Sequence, residues 1–587
     1  MKRYTQEQIK GVLAKAKKEA ILSYENDRER VLASELLKPR LIEIEKRAEE
    51  LRAMPTVALP FSTFKRFEID GNRSEYEREY FRRRQKLEAF SILVWLYGRD
   101  EDVSSLEDVI WAILDEYTWA LPAHLLGTGL TKLQQDGFMV DLFAAETASA
   151  LAEMLVLVGD RLQPIVVERA RRLIRERVLD RMNEKFHWMR GSNNWVAVCG
   201  GSVGIAAMYE CDGDELAGIL YTVIESLHGY LGGFTDDGVC LEGIAYWRYG
   251  FGYFMAFADL LLRRTAGEIN LFDDEKVHKI ATFVQKCLFG GGRCVSFSDA
   301  ETYATVSLFA TKKLTDLYPD ISIPSRESVT MHYPEDGCAR YALELRNLIW
   351  APDSIEVRTA SPATYIFPDA EWYVSTAESG ASLAAKAGHN AEPHNHNDVG
   401  SFEIYKNGEE LLADLGCGKY DKDYFVNAKR YGYLCNASYG HSLPIINGVY
   451  QSFGTEYAAR DVKIDATGIK MDISGAYGIP TLESLVRDIR FDTKGGTATL
   501  TDTYTFTETP DSVVERFITR SVPEIKEGSV TVRTGKETLV LTYPDTVSPT
   551  VTEYDFLMHR GEQVKVYAID LTVKTPEKEI TLKFEMR

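Results

Sequence analysis

With 587 residues, 45% of them hydrophobic and 27% charged, the chain is an ordinary globular mixture too long for one hydrophobic core, so two or three domains are expected. Its net charge of −20 argues against a general binder of nucleic acid or acidic membranes, and no stretch offers about 18 uninterrupted apolar residues for a membrane span. An anionic substrate stays possible, because a local cationic cleft can sit in an acidic protein; the basic run RARRLIRERVLDR (169–181) reads first as a solvated helix face.

The N-terminal stretch MKRYTQEQIKGVLAKAKKEAILSYENDRERVLASELL has helical periodicity and charges throughout, with neither an apolar signal core nor a small-residue cleavage site. A cytoplasmic location is expected, or a secreted or periplasmic one if a leader has been removed. The eight cysteines are scattered without CxxC spacing and read as reduced core thiols.

From residue 5 to about 345 the pattern is helical. EYFRRRQKLEAFSILVWLYG, SLEDVIWAILDEYTWAL, VDLFAAETASALAEMLVLVG, LAGILYTVIESLHGYLGGF and GFGYFMAFADLLLRRTAG carry apolar residues at three- and four-residue spacing, punctuated by Gly or Asp. About a dozen helices are expected, and their regular alternation suits helix pairs arranged around an axis. After about residue 355 the signals become those of strands: ATYIFP, EWYVSTA, GSFEIYKNGEELLADLG, GIKMDISGAY, TATLTDTYTF, VVERFITRSV and EQVKVYAIDLTV alternate and are rich in β-branched residues. Helices first and sheets afterwards predict an α+β chain, with a helical domain over 1–350 and an antiparallel β-sheet or β-sandwich domain over 351–587.

The stretch PHNHNDVGSFEIYKNGEELLADLG (393–416) places two histidines at the mouth of a hairpin. A two-residue turn at Asn407-Gly408 pairs Ser401 with Asp414. Extended chain would carry His396 about 16 Å from that point, at about 3.3 Å per residue, so the two meet only if Asn397–Gly400 folds back, which its Asn, Asp and Gly residues permit. His441, in SYGHSLPIINGVYQ, is a third candidate. Two imidazoles, a carboxylate and water make a reasonable Zn²⁺ shell, and polar loop histidines beside an ordinary strand-end aspartate are the plainer alternative.

The order His394, His396, Asp414, Gly416, His441, Gln451 resembles the C-terminal signature of the heparinase II/III-like polysaccharide lyases. LPAHL (121–125), VDLFAAETA (140–148), SNNW (192–195) and DGVCLEGIAYWRYG (237–250) resemble that family's helical domain, so the likeness spans about 120 to 455. It implies an incomplete (α/α) toroid followed by stacked antiparallel sheets, and β-elimination on uronate-containing polysaccharides: loss of the C5 proton beside a carboxylate and expulsion of the C4 oxygen, leaving a 4,5-unsaturated sugar. The expected partner is an anionic uronate polysaccharide or oligosaccharide, glycosaminoglycans first, with alginate, C5-epimerisation and non-catalytic carbohydrate binding as alternatives. Oligomeric state is left open, a dimer included.

By the same resemblance Asn194 is the group that neutralises the uronate carboxylate, Tyr249 is the favoured acid and a candidate base as well, with Tyr246 as fallback, and His394 either shares base duty or contacts the carboxylate. Tyr246 and Tyr249 stand one helical turn apart, so both are expected to face the cleft. Trp195 stands where several members have a histidine, and a sugar ring can stack on it. Glu242 either supports the site through hydrogen bonds or faces solvent. Arg248 and Arg430 either bind acidic substituents or form surface ion pairs. His396, Asp414 and His441 match the ligands of a structural divalent ion, Zn²⁺ first, that would order the loops presenting His394.

Overall fold

The computed structural model describes residues 1–125, 139–303, 305–322, 326–355, 361–421 and 423–587. The helical part includes Ser74–Tyr97, Asp100–Leu114, Leu142–Val158, Pro164–Arg177, Asn194–Glu210, Gly213–Gly232, Gly252–Arg264 and Glu275–Lys286. Asn194–Glu210 lies centrally and packs on Leu142–Val158, Gly213–Gly232 and Gly252–Arg264. Its sequence, NWVAVCGGSVGIAAMYE, is rich in glycine and alanine, which lets several neighbours approach at once. Leu142–Val158 starts at Asp141, whose carboxylate accepts from the Ala144 N–H at 2.7 Å, a conventional N-cap. The segment Leu142–Arg161 is long and apolar enough to cross a membrane, and 83% of its most apolar window is buried inside the protein. The basic run behaves as a solvated face: Arg175 pairs with Glu215 and Asp180, and Arg169 with Asp115.

After two small two-stranded sheets, Leu288–Gly290 with Arg293–Cys294 and Val306–Ser307 with Val329–Thr330, the larger sheets begin at Ala363. A five-stranded antiparallel sheet runs in the order Glu409–Leu412, Phe402–Lys406, Ala381–Lys386, Trp372–Thr376, Ala363–Phe367. An eight-stranded sheet contains Leu482–Phe491, Ala498–Phe506 and Glu579–Met586 among its central strands. A four-stranded sheet contains Val513–Thr519 and the long hairpin Val547–Leu557 with Gln563–Val573. The five-stranded sheet is a middle layer. Trp372, Val374, Ala384 and Tyr405 join the core of the helical part, whereas Tyr373, Leu383, Ala385, Phe402 and Ile404 join the core shared with the other sheets. The two-residue alternation of a strand makes that division, and it joins the core of the helices to chain beyond residue 351.

The hairpin turn forms at Asn407 and Gly408, with φ of 49° and 81°. Lys406 faces Glu409 and Tyr405 faces Glu410, but Ile404 faces Leu412, so a bulge at Leu411 shifts the rest of the register by one residue. The pairing of Ser401 with Asp414 expected from an unbroken ladder is therefore displaced. All eight cysteines are free, and all but Cys338 are buried.

Candidate active site

Two segments, 394–396 and 424–430, converge on one carboxylate about a hundred residues earlier in the chain. Asp299, fully buried in a loop that follows the helix Glu275–Lys286, accepts from His394 Nδ1 at 2.7 Å, His396 Nε2 at 3.1 Å, the Tyr424 hydroxyl at 2.6 Å and Arg430 Nη2 at 3.0 Å. Burial alone would raise its carboxyl. The hydrogen bonds from the two histidines and the nearby cations outweigh that and hold it well below the usual carboxylate range. Arg430 is buried, spending its remaining donors on the carbonyls of Asn395 and Tyr424, so its pairing is internal instead of superficial.

His394 has φ of 56°, a left-handed conformation that non-glycine residues seldom adopt and that gathers at functional sites. With Nδ1–H fixed on Asp299, Nε2 is the nitrogen without a protein partner among the described residues. The side chain stays 18% exposed. Its ring centroid lies 4.1 Å from that of Tyr246, whose hydroxyl meets the Tyr420 hydroxyl at 3.1 Å. Burial, and then the charge of Asp299, raise the Tyr246 phenol well above its ordinary value, so it carries its proton at neutral pH.

Tyr246 ends the short helix Ile244–Tyr246, and Trp247–Phe251 follows as one π turn. The wider turn splays residues that a regular helix would align. Tyr246 and Tyr249 both line a cavity of about 220 Å³, but their hydroxyls diverge. Tyr249 donates to Glu146 at 2.5 Å with the Arg340 guanidinium 3.6 Å from its ring, and Tyr253 donates to the other Glu146 oxygen at 2.7 Å. Burial raises the Glu146 carboxyl, against the opposing charge of Arg340 and these two phenols. Arg248 lines the same cavity and has no ion-pair partner among the described residues.

Asn194 is the first residue of its helix, after the cap position Asn193. Its side-chain amide has no hydrogen-bond partner among the described residues and lines a narrow recess with Glu242, Tyr246 and Pro393. Tyr230, whose buried hydroxyl also lacks a partner, lines the recess too. Gly250 permits this approach: a Cβ there would lie 2.7 Å from the Tyr230 hydroxyl oxygen and 3.2 Å from Asn194 Cβ. Burial raises the Glu242 carboxyl, opposed by His394 and by the Asn194 backbone N–H, which places an acid at a helix N-terminus. Trp195 packs between the rings of His124 and His187, with centroids at 4.8 and 5.1 Å.

His396, Asp414 and His441 meet in the interior, each with a donor atom within 4.8 Å of the others. His396 Nδ1, Asp414 Oδ2 and His441 Nδ1 are all buried without a hydrogen-bond partner. Three buried ligand atoms facing one another, with His441 Nδ1 and Asp414 Oδ2 3.2 Å apart, fit a divalent cation, and two nitrogens with one oxygen suit Zn²⁺ with a fourth ligand. The outer contacts complete the pattern: His396 Nε2 is held by Asp299, His441 Nε2 donates to the Cys435 carbonyl at 2.9 Å, and Asp414 Oδ1 accepts from the Gly416 N–H at 2.9 Å. Gln451 braces the loop that folds back, exchanging hydrogen bonds with Val399 N–H and carbonyl at 3.0 and 2.7 Å. Arg487, buried in the eight-stranded sheet, donates to the carbonyls of Gly400 and Ser442 at 3.0 and 2.9 Å, tying both ligand loops to that sheet.

Asp299, Tyr420, Tyr230 and Glu146 were not singled out from the sequence. Glu146 lies inside the quoted VDLFAAETA stretch, but Asp299 carries no motif that marks it.

Residues 360–442 match the family model for the heparinase II/III-like C-terminal region, which bears out the resemblance read from the sequence. No curated protein sequence matches the chain. Among solved structures, heparinase III has a similar fold at 14% identity and a TM-score of 0.60, over 95% of this chain and 93% of that one. Heparan sulfate lyase from Pedobacter heparinus gives 12% and 0.57, over 92% and 87%. Chondroitin AC lyase from Streptomyces coelicolor A3, solved with chondroitin sulphate, gives 12% and 0.57, over 96% and 82%.

Proposed function

We propose that the chain is a polysaccharide lyase that cleaves uronate-containing chains, glycosaminoglycans first, by β-elimination, and that its helical part is the incomplete (α/α) toroid of the lyases it resembles. The observation that carries this reading is the pairing of His394 with Tyr246, ring to ring at 4.1 Å, beside the unpartnered amide of Asn194.

Asn194 hydrogen-bonds the uronate carboxylate, with Tyr230 beside it, so that charge developing at C5 is delocalised into a neutralised group. His394 Nε2 takes the C5 proton, because Asp299 holds the other ring nitrogen as N–H and stabilises the cation that forms. The C5–H electrons become the C4–C5 double bond and the C4–O bond breaks towards oxygen. Tyr246 gives that oxygen its proton, a task suited to a phenol kept protonated by burial. Transfer of the proton from His394 to Tyr246 restores both groups. Tyr249, bound to Glu146 and stacked under Arg340, serves as a wall of the cleft, and Arg248 meets an anionic group of the substrate. His396, Asp414 and His441 would hold a divalent ion, Zn²⁺ first, whose contribution is to order the loop carrying His394.

The test is ultraviolet absorbance of the unsaturated uronate, over chondroitin sulfates, hyaluronan, heparan sulfate, heparin and alginate, with Tyr246→Phe beside the wild type. A rise that the variant abolishes is expected. No rise from folded, metal-replete protein on polymers or their oligosaccharides would refute the lyase reading, and solvent deuterium entering C5 without absorbance would identify an epimerase.

A further inference from the structure

The cleft continues beyond Tyr246. A second cavity of about 270 Å³ opens behind the first and shares Glu301, Cys417 and His559 with it. His559 belongs to the tip of the hairpin formed by Val547–Leu557 and Gln563–Val573, 165 residues past His394 in sequence. Phe556, Val566 and Ala568 of that hairpin share a small buried cluster with Ala413, Leu415 and Tyr424, which fixes the tip against the loops of the site.

We propose that this second cavity is a binding subsite for the next sugar of the chain, an uncharged pyranose, recognised by His559 and Tyr303. The proposal rests on the lyase reading only in taking the ligand to be a saccharide. Size is the first argument. Each cavity alone falls below the roughly 300–1,000 Å³ in which drug-sized ligands bind, and the two together enter that range, which suits one sugar in each.

The second argument is the chemistry of the walls. Tyr303 is 56% exposed, and the Arg293 guanidinium lies 3.6 Å from its ring centroid. A ring backed by a cation on one face offers the other as a firm apolar platform for the C–H face of a sugar. His559 Nδ1–H donates to the Gly418 carbonyl at 3.2 Å, which leaves Nε2 as the acceptor for a sugar hydroxyl. The His559 ring stands edge-on to Tyr420 at 4.5 Å, and the Tyr420 hydroxyl meets that of Tyr246. One chain of contacts therefore joins the subsite to the proposed acid.

Charge favours an uncharged sugar. Arg560 at the hairpin tip is closed on Glu301 at 2.8 Å, and Glu562 in the same wall has no cationic partner among the described residues. A sulfate there would meet Glu562 and could be neutralised only by drawing the exposed Arg560 away from Glu301 or by the Arg293 guanidinium behind the Tyr303 ring, whereas hydroxyls and an acetamide carry no such cost.

The test is calorimetric binding to full-length, metal-replete Tyr246→Phe protein, using unsulfated chondroitin and heparosan oligosaccharides, each as disaccharide and tetrasaccharide with the uronate at the non-reducing end, so that only the tetrasaccharide carries a sugar on the leaving-oxygen side of a uronate, where the contacts to Tyr246 place the subsite. In at least one series the tetrasaccharide is expected to bind about tenfold more tightly, the worth of one hydrogen bond and one stacking face. His559→Ala and Tyr303→Ala should each reduce that ratio to about threefold or less, and His559→Gln, which keeps an acceptor, should retain most of it. Thermal unfolding confirms that each variant is folded. A ratio near one in both series, or a ratio that neither alanine variant moves, overturns the subsite. If the ratio behaves as expected but wild-type protein forms no unsaturated product from the same tetrasaccharides, the lyase reading falls and the subsite stands.

Discussion

Asp299→Asn is the most informative single change, because it keeps the shape of the side chain and removes only its charge. In the native structure that carboxylate meets Arg430 at 3.0 Å in a buried setting. Removing one member of a buried pair typically costs about 3–5 kcal/mol, since the other charge is left uncompensated. Arg430 retains the carbonyls of Asn395 and Tyr424, so the lower end, about 3 kcal/mol, is expected here. Activity should fall further than stability, because His394 loses the group that fixes its tautomer; a loss of about 10²–10⁴ in kcat matches what orienting carboxylates supply elsewhere. Metal affinity should drop about 10- to 100-fold through the lost contact to His396. Denaturant unfolding, kcat by absorbance of the unsaturated product and metal content separate the three effects. Adding Arg430→Met to Asp299→Asn should destabilise by less than the sum of the single changes, because the stranded cation is gone. An Asp299→Asn protein with wild-type stability and kcat within about threefold of normal would refute the hub role.

Tyr246→Phe should lower kcat about 10²–10⁴-fold with the fold intact, and Tyr249→Phe should lower it less, since that hydroxyl is bound to Glu146; equal losses in steady-state kinetics would reverse the assignment. His441→Ala should abolish binding of the proposed divalent ion, seen by elemental analysis beside the wild type, and should lower activity through disorder of the His394 loop; an activity loss that added Zn²⁺ restores in the variant would contradict it. Glu515, buried against Arg487 and Tyr504, has its carboxyl raised well above the usual range by burial and by Asp502. A raised acid binds its proton more readily in the folded state, so its contribution falls as pH climbs from the ordinary carboxylate range towards the raised value. Glu515→Gln should flatten that part of the stability profile in pH-dependent denaturation, and an unchanged slope would count against it.

The parts of this architecture that were legible in sequence are those set by local pattern. The change from three- and four-residue to two-residue periodicity marks where helices give way to sheets, the Asn407-Gly408 turn forms, and the Asn397–Gly400 segment folds back so that His396 reaches Asp414. Features set by tertiary context were not legible. Helical spacing put Tyr246 and Tyr249 on one face, and the π turn at Trp247–Phe251 sends their hydroxyls to different partners. Alternation along the hairpin gives no hint of the bulge at Leu411. Arg430 looked like a surface cation because an arginine without its partner always does, and that partner, Asp299, lies 131 residues earlier.

The position of Asp299 also bears on how the two halves of the chain depend on one another. It lies well before residue 351, yet its surroundings belong to the sheets. Ser296 donates to Glu403 through both backbone and hydroxyl, the Cys417 N–H donates to the Ala300 carbonyl at 2.9 Å, and Gly416 passes so close to Ala300 that a Cβ would lie 2.1 Å from its oxygen. The 296–300 loop thus fills the edge of the sheet that presents the histidines. A fragment of 351–587 would keep His396, Asp414 and His441 but leave Arg430 without its buried counter-charge and expose the apolar face of Trp372, Val374 and Tyr405. Breaking that pair alone costs about 3 kcal/mol, and each bared large side chain about 1.5–3 more, against a typical domain stability of about 5–15 kcal/mol. The fragment should therefore fail to fold cooperatively, as judged by near-ultraviolet circular dichroism and dye binding, even with Zn²⁺ added. A fragment that folds and binds the ion with full-length affinity would show that the sheets do not need the 296–300 loop.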